Sequence, residues 1–235
     1  LPLGGTGEIG MNFNLYAHDG HWLAVDCGVL FGNEHHPGPP VQMADPAFIA
    51  ARRGELTGLV ITHAHEDHVG GVPWLWKQLR CPVYTTRFTA EILRRKLADA
   101  GLVERVPVHV VTRGDRITLG PFDVEWIGLT HSIPEPNALF IRTAAGNVFH
   151  TADWKLDPDP VIGEPCDAAV YQRLADEGVA AMVCDSTNAT VDGHSRSEGE
   201  LYEGLRSNVE AADGRVVVAC FGSNMARLVT LARVA

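Results

Sequence analysis

Apolar and polar positions alternate in short bursts over most of the chain, and only a few stretches carry a helical period. Residues 13–17 and 22–27 flank the polar turn AHDGH and predict a hairpin. The uninterrupted apolar run GLVIT at 58–62 has the character of a buried strand, and a helix is predicted after it around 72–79. Over 87–100, Phe88, Ile92, Leu93 and Leu97 recur at helical spacing, and Gly101 stands where such a helix would end. Strands are then predicted at 106–111, 116–119, 122–129, 138–142 and 147–151. Beyond them the pattern reads helix 168–177, strand 180–184, helix 197–212 and strand 215–220, followed by a turn and a helix at the end. Strands so closely spaced predict stacked sheets covered by helices, passing into a βα segment near residue 180. No internal repeat, linker or run of like charge interrupts them.

Composition narrows the class. An apolar share of 46% with 20% charged residues supports a sizeable core and excludes disordered and collagen-like chains. Lys and Arg total 19 against 29 Asp and Glu, and the net charge of −10 repels nucleic acid unless cations or a local basic patch reverse it. Cys27, Cys81, Cys166, Cys184 and Cys220 are odd in number, widely spaced and without a CxxC pair. That usage points to reduced core thiols in a cytoplasmic protein. There is no export signal and no apolar run near the roughly 18 residues of a membrane span, so no membrane partner is expected. Both ends interrupt a pattern, which suggests a piece of a longer protein.

The chemistry concentrates in His63-Ala64-His65-Glu66-Asp67-His68, directly after GLVIT. Residues two apart in an extended chain point to one side, so His63 and His65 can grip one ion, while Asp67 and His68 fall at the turn into the next helix and can face a second. Further ligands must come from other strand ends. His131 follows the strand 122–129 in GLTHSIPEP, where Pro134 and Pro136 exclude helix, and Asp153 follows 147–151 in FHTADWKLD.

HAHEDH, THSIP and HTADWKLD, in that order, resemble successive ligand motifs of the metallo-β-lactamase superfamily. LGGTGEIGMN, THAHEDHVGGVPWL, LTHSIPEPNAL, FHTADWKLDPDP and VCDSTNAT together resemble the ribonuclease J family of its β-CASP branch, over essentially the whole chain. The resemblance implies an α/β protein with the four-layer αββα metallo-β-lactamase fold, incomplete here, residues 1–195 being the first part of that domain and 196–235 the start of an inserted β-CASP α/β domain. It implies that His63, His65 and His131 hold one metal ion, Asp67 and His68 the other, and that Asp153 bridges them. Asp67, Asp153 and Asp185 are then the catalytic carboxylates; Asp185, in CDSTN, supports the centre or simply starts a turn. Later His-bearing motifs belong to the family pattern, one completing the second site, and nothing downstream of Ser223 supplies them.

The cofactors so implied are two divalent ions, zinc or alternatively manganese. Ions about 4 Å apart can share a hydroxide, lower the pKa of its parent water to about 7 and stabilise in-line attack on phosphorus. The implied substrate is single-stranded RNA, cut as 5′-to-3′ exonuclease and as endonuclease, and the implied assembly is a homodimer or homotetramer. Two rivals remain: a thioester, lactone or β-lactam hydrolase on the same dinuclear site, and a metal-bound RNA-binding module without activity.

Other features carry less. Gly4-Gly5-Thr6-Gly7-Glu8-Ile9-Gly10 lacks a GK[ST] ending and a following helix, so it reads as tight turns near the site. His18, His21, His35, His36, His109, His150 and His194 have no ligand-like spacing and read mostly as surface or supporting residues. Asp26 is either a carboxylate supporting the ligands or a buried turn acid; Trp154 and Lys155 either meet substrate or are structural; Arg94, Arg95 and Lys96 read as a solvated helix face.

Overall fold

The computed structural model describes residues 1–235 apart from 33, 35 and 36, so the reading of His35 and His36 lies outside the described residues. The chain runs β1 (Pro2–Gly4), β2 (Phe13–His18), β3 (His21–Val25), the short β4 (Leu30–Phe31) and β5 (Val41–Gln42), α1 (Ala47–Ala50) and β6 (Leu56–Val60). It continues through α2 (Glu66–Val69), α3 (Val72–Leu79), β7 (Val83–Thr86), α4 (Arg87–Asp99), β8 (Val108–Val111), β9 (Arg116–Leu119), β10 (Phe122–Gly128), β11 (Asn137–Thr143) and β12 (Gly146–His150). The last part holds α5 (Ala168–Glu177), β13 (Ala181–Val183), α6 (Leu201–Glu210) and α7 (Met225–Val234).

Two sheets carry the fold: a six-stranded one ordered β1-β2-β3-β6-β7-β8 and a five-stranded one ordered β13-β12-β11-β10-β9. The period of two along each strand sorts side chains between layers. In β3, Leu23 and Val25 face the second sheet while Ala24 faces the helices; around β6, Val60 faces inward and Leu59 and Ile61 outward. Val124, Trp126, Leu139 and Ile141 meet that inner face from the second sheet. Leu75, Trp76, Leu79, Leu93 and Leu97 of α3 and α4 cover the first sheet, and Leu174 of α5 covers Phe140 and Ile127 of the second. The result is four layers, helix, sheet, sheet, helix, as expected from the sequence. Each such fully buried aliphatic or aromatic side chain contributes about 1.5–3 kcal/mol.

Three readings change. Residues 215–220 are not a strand: Val217 is 86% exposed, Phe221 just beyond is 85% exposed, and no strand lies beside the segment among the described residues. A β-prone run becomes a strand only when it pairs with another, and this one pairs with none among the described residues. The helix expected from residue 197 starts at Leu201, because Ser197 Oγ and the Glu198 amide are held by the Asp157 carboxylate, the latter at 3.0 Å. All five cysteines are free, but Cys184 and Cys220 are exposed rather than in the core; Cys184 follows the exposed edge strand β13 and Cys220 ends the unpaired run.

Candidate metal centre

The strands deliver their ends to one place. His63 and His65 follow β6, Asp67 and His68 lie in the one-turn helix α2, His131 follows β10 and Asp153 follows β12, so both sheets contribute. Their ligand atoms form two groups, each within 4.8 Å: His63, His65, His131 and Asp153, and then Asp67, His68 and Asp153. His65 Nδ1 lies 3.1 Å from both His63 Nε2 and His131 Nε2. Tetrahedral ligands with metal–nitrogen bonds of about 2.0–2.1 Å stand about 3.3 Å apart, so the three imidazoles fit one ion. Asp153 belongs to both groups, with Oδ2 3.8 Å from His131 Nε2 and Oδ1 3.2 Å from His68 Nε2. Asp67 Oδ2 is 3.4 Å from the same His68 nitrogen.

Protonation agrees with that use. Burial, then the neighbouring imidazoles, push His63 well below the ordinary histidine range, and burial lowers His65. His131 falls to about 4, chiefly by burial and then by His65. Burial raises the Asp153 carboxyl, but His68 and the other histidines outweigh it and hold the group at about 2. Neutral imidazoles around ionised carboxylates are the form that binds a cation. His68 goes the other way: burial lowers it, and Asp26 and Asp153 more than reverse that. The point between Asp67, Asp153 and His68 Nε2 therefore calls for positive charge, which a divalent ion supplies as well as a proton does.

Behind the ligands stands Asp26, fully buried and at φ 61°. Its carboxylate accepts from the Thr62 amide at 2.8 Å, from the Thr62 hydroxyl at 3.0 Å and from His68 Nδ1 at 2.8 Å. Thr62 Oγ1 in turn lies 3.0 Å from His63 Nδ1. With Nδ1 of each ring so engaged, Nε2 of both rings is left as the lone-pair donor. Of the two readings of Asp26, the structure favours the supporting carboxylate. Close backbone approach makes the turn possible: a Cβ on Gly28 would lie 1.6 Å from the Asp67 carbonyl oxygen. Only glycine allows the Asp67 turn to lie against that loop.

The Gly-rich segment lies beside the centre, as expected, and lines a cavity of about 460 Å³ with Asp67, His68 and Asp153. A second cavity of about 280 Å³ on the other side is lined by His131, Ser132, Lys155 and Asn188, and the two share Asp153, Asp185 and Thr187. Asp185 thus borders the centre without joining either ligand group, and its Oδ1 accepts from the Thr187 amide at 2.9 Å, closing a turn. Trp154 Nε1 donates to the Asp185 carbonyl at 3.3 Å, and Lys155 pairs with Asp157 at 3.3 Å. On α4, Lys96 pairs with Glu66 and Arg94 with Glu91. Sequence reasoning missed Asn12, whose side-chain amide is 3.2 Å from both the Asp67 carbonyl and His68 Nε2; it gave Thr62 and Tyr16 no place at the site and read His150 only among histidines that are mostly surface or supporting residues. None of them has a ligand spacing of its own, because Asn12 reaches the site from just before β2, Tyr16 from within β2, Thr62 from just after β6 and His150 from the end of β12.

Residues 21–200 match a family described as a beta-lactamase superfamily domain. The chain belongs to this superfamily. Within it, the chain is similar to ribonuclease J of Sinorhizobium meliloti, 46% identical over all of this chain and 42% of that protein. It is likewise similar to ribonuclease J of Mycolicibacterium smegmatis, 43% identical over 96% of this chain and 40% of the relative. The chain therefore spans about two fifths of the length of these curated relatives. A solved structure of a protein of unknown function from Enterococcus faecalis V583 superposes with a TM-score of 0.62 at 17% identity, covering 96% of this chain and 60% of that one, which shows the shared fold. No helix among the described residues is long and apolar enough to cross a membrane.

Proposed function

We propose that this chain is the metal-binding part of a ribonuclease that hydrolyses RNA phosphodiesters, acting on single-stranded RNA as a 5′-to-3′ exonuclease and as an endonuclease. The observation that carries this reading is the similarity of all of this chain to part of ribonuclease J, at 46% identity, over a site whose two ligand groups share one carboxylate. His63, His65, His131 and Asp153 would hold one divalent ion, and Asp67, His68 and Asp153 the other, with zinc favoured by the imidazole-rich set and manganese the alternative. Such a pair of ions supplies positive charge to phosphate oxygens and brings the pKa of water toward neutrality. The residues themselves orient and neutralise: Asp153 fixes the spacing of the two sites, Asp26 and Thr62 fix the rings, and Asp185 holds the rim of the trough.

The trough continues on both sides of Asp153, which suits a polymer better than a closed pocket for a thioester, lactone or β-lactam. The family match ends at residue 200, which supports residues 1–195 as the metal-binding domain and 196–235 as the start of an inserted β-CASP domain. Free thiols support a reducing, cytoplasmic setting. A homodimer or homotetramer of the full-length protein completes the proposal. The test is metal-dependent cleavage of a 5′-monophosphorylated single-stranded RNA by the full-length protein with Mn²⁺ or Zn²⁺, beside a His65→Ala control. Mononucleotide release lost in the control is the expected result. No cleavage by folded, metal-loaded protein would move the assignment to a small-substrate hydrolase.

A further inference from the structure

His150 ends β12 in the second sheet and is 4% exposed, yet its ring borders the trough beside Asp67, His68 and Asp153. Its Nδ1 lies 2.8 Å from the hydroxyl of Tyr16, which comes from β2 in the first sheet, and the rings meet edge to face. A phenol is a strong donor and a weak acceptor, whereas a neutral imidazole nitrogen is a strong acceptor, so the Tyr16 O–H donates to Nδ1 and the ring proton sits on Nε2. That Nε2–H has no protein partner among the described residues. It belongs to neither ligand group, and no ligand spacing marks it in the sequence. Burial lowers the ring's pKa to about 4, which keeps it neutral.

The trough beside it is unusual for a site expected to take an anion. On the side that His150 borders, the 460 Å³ cavity is lined by Glu8, Asp67, Asp153 and Asp185 and by no Lys or Arg among the described residues; Lys155 lines only the cavity across Asp153, where it pairs with Asp157. Apart from bound cations, a phosphate entering there depends on neutral donors, and the His150 Nε2–H, which is not shut off from solvent and is taken by no protein acceptor among the described residues, is one of them. We infer that His150, held by Tyr16 as the Nε2–H tautomer, donates a hydrogen bond to a phosphate oxygen of the nucleic acid lying in the trough, and so is a positioning residue for the substrate. This inference rests on the ribonuclease reading for its substrate but not for its geometry.

In the full-length protein, His150→Leu removes the donor and His150→Gln replaces it with an amide donor. Loss of one hydrogen bond to a charged oxygen lowers kcat/KM for single-stranded RNA by about tenfold to a hundredfold, carried mainly in KM. Zinc content should stay at the wild-type value in His150→Leu, whose melting temperature falls only by what the unpaired Tyr16 hydroxyl costs, and His150→Gln should recover most of the lost kcat/KM. Unchanged kinetics in His150→Leu, or equal losses in both variants together with a lower melting temperature, would overturn the inference. A second measurement does not need cleavage: with ¹⁵N-histidine labelling, the protonated Nε2 signal of His150 should move on titration with inorganic phosphate, and Tyr16→Phe should mix the tautomers. If the protein cuts no RNA, the ribonuclease reading fails while this titration still decides the role of His150; a signal that phosphate leaves in place refutes it.

Discussion

Replacing Asp26 with Asn keeps the shape of a fully buried side chain and removes its charge. In the native arrangement one carboxylate accepts from the Thr62 amide at 2.8 Å, the Thr62 hydroxyl at 3.0 Å and His68 Nδ1 at 2.8 Å. An amide has one acceptor oxygen and one donor nitrogen, so it can keep Thr62 but must present N–H to His68, or keep His68 and oppose Thr62. In the first case the His68 ring accepts on Nδ1, places its proton on Nε2 and ceases to be a metal ligand. Loss of such an outer carboxylate costs about 10- to 100-fold in metal affinity, which is about 1.4–2.7 kcal/mol. The loss should fall mainly on the site of Asp67 and His68, since His63 feels Asp26 only through Thr62. Zinc titration against a competing chelator, with the fold checked by circular dichroism, reads both sites. Two unaltered zinc affinities in folded Asp26→Asn would refute the reasoning, because Asp26 would then be only a buried turn acid.

Further outcomes follow from single positions. Gly28→Ala should cost about 3 kcal/mol or more by overpacking, because its Cβ would lie 1.6 Å from the Asp67 carbonyl oxygen; urea melts and zinc content should fall together. Ala152 precedes Asp153 at φ 51°, so Ala152→Gly should raise stability by about 1 kcal/mol, read as a higher urea midpoint, with Asp153 left in place. His150 has its pKa lowered from 6.5 to about 4, so the unfolded chain binds more protons between those values; the stability it gives is present above pH 6.5 and is lost as pH falls toward 4. Between pH 7 and pH 4.5 this amounts to about 2 kcal/mol, and in chelator-treated protein His150→Gln should flatten the fall by that much.

The strands and helices were legible where the period was long: α4, α5 and the run from β9 to β12 lie within one or two residues of their predicted positions. The four metal-type residues of HAHEDH were legible because such polar groups beside a buried strand demand partners, and His131 and Asp153 because they stand at strand ends. The run VVVACF misled, since its composition is that of a strand but pairing is a property of the neighbours. Asn12, Thr62 and Tyr16 were invisible for a related reason. Their roles come from contacts across 56, 36 and 134 residues of sequence, and each side chain taken alone is ordinary. His150 was set aside for lacking ligand spacing, and its place by the trough comes from the packing of one sheet on the other.

The distribution of the ligands has a thermodynamic corollary. His63, His65, Asp67 and His68 hang from the first sheet and its following turn, while His131 and Asp153 hang from the second. An ion gripped by both groups is then a removable clasp between two halves of a sandwich, and its binding energy is withheld from any state in which the halves part. By mass action a ligand at 1,000 times its dissociation constant adds about 4 kcal/mol to the closed form. Amide hydrogens of β3 and β6 and those of β10 and β11 should therefore slow together when zinc is added, as though one latch had been fastened on strands that share no hydrogen bond.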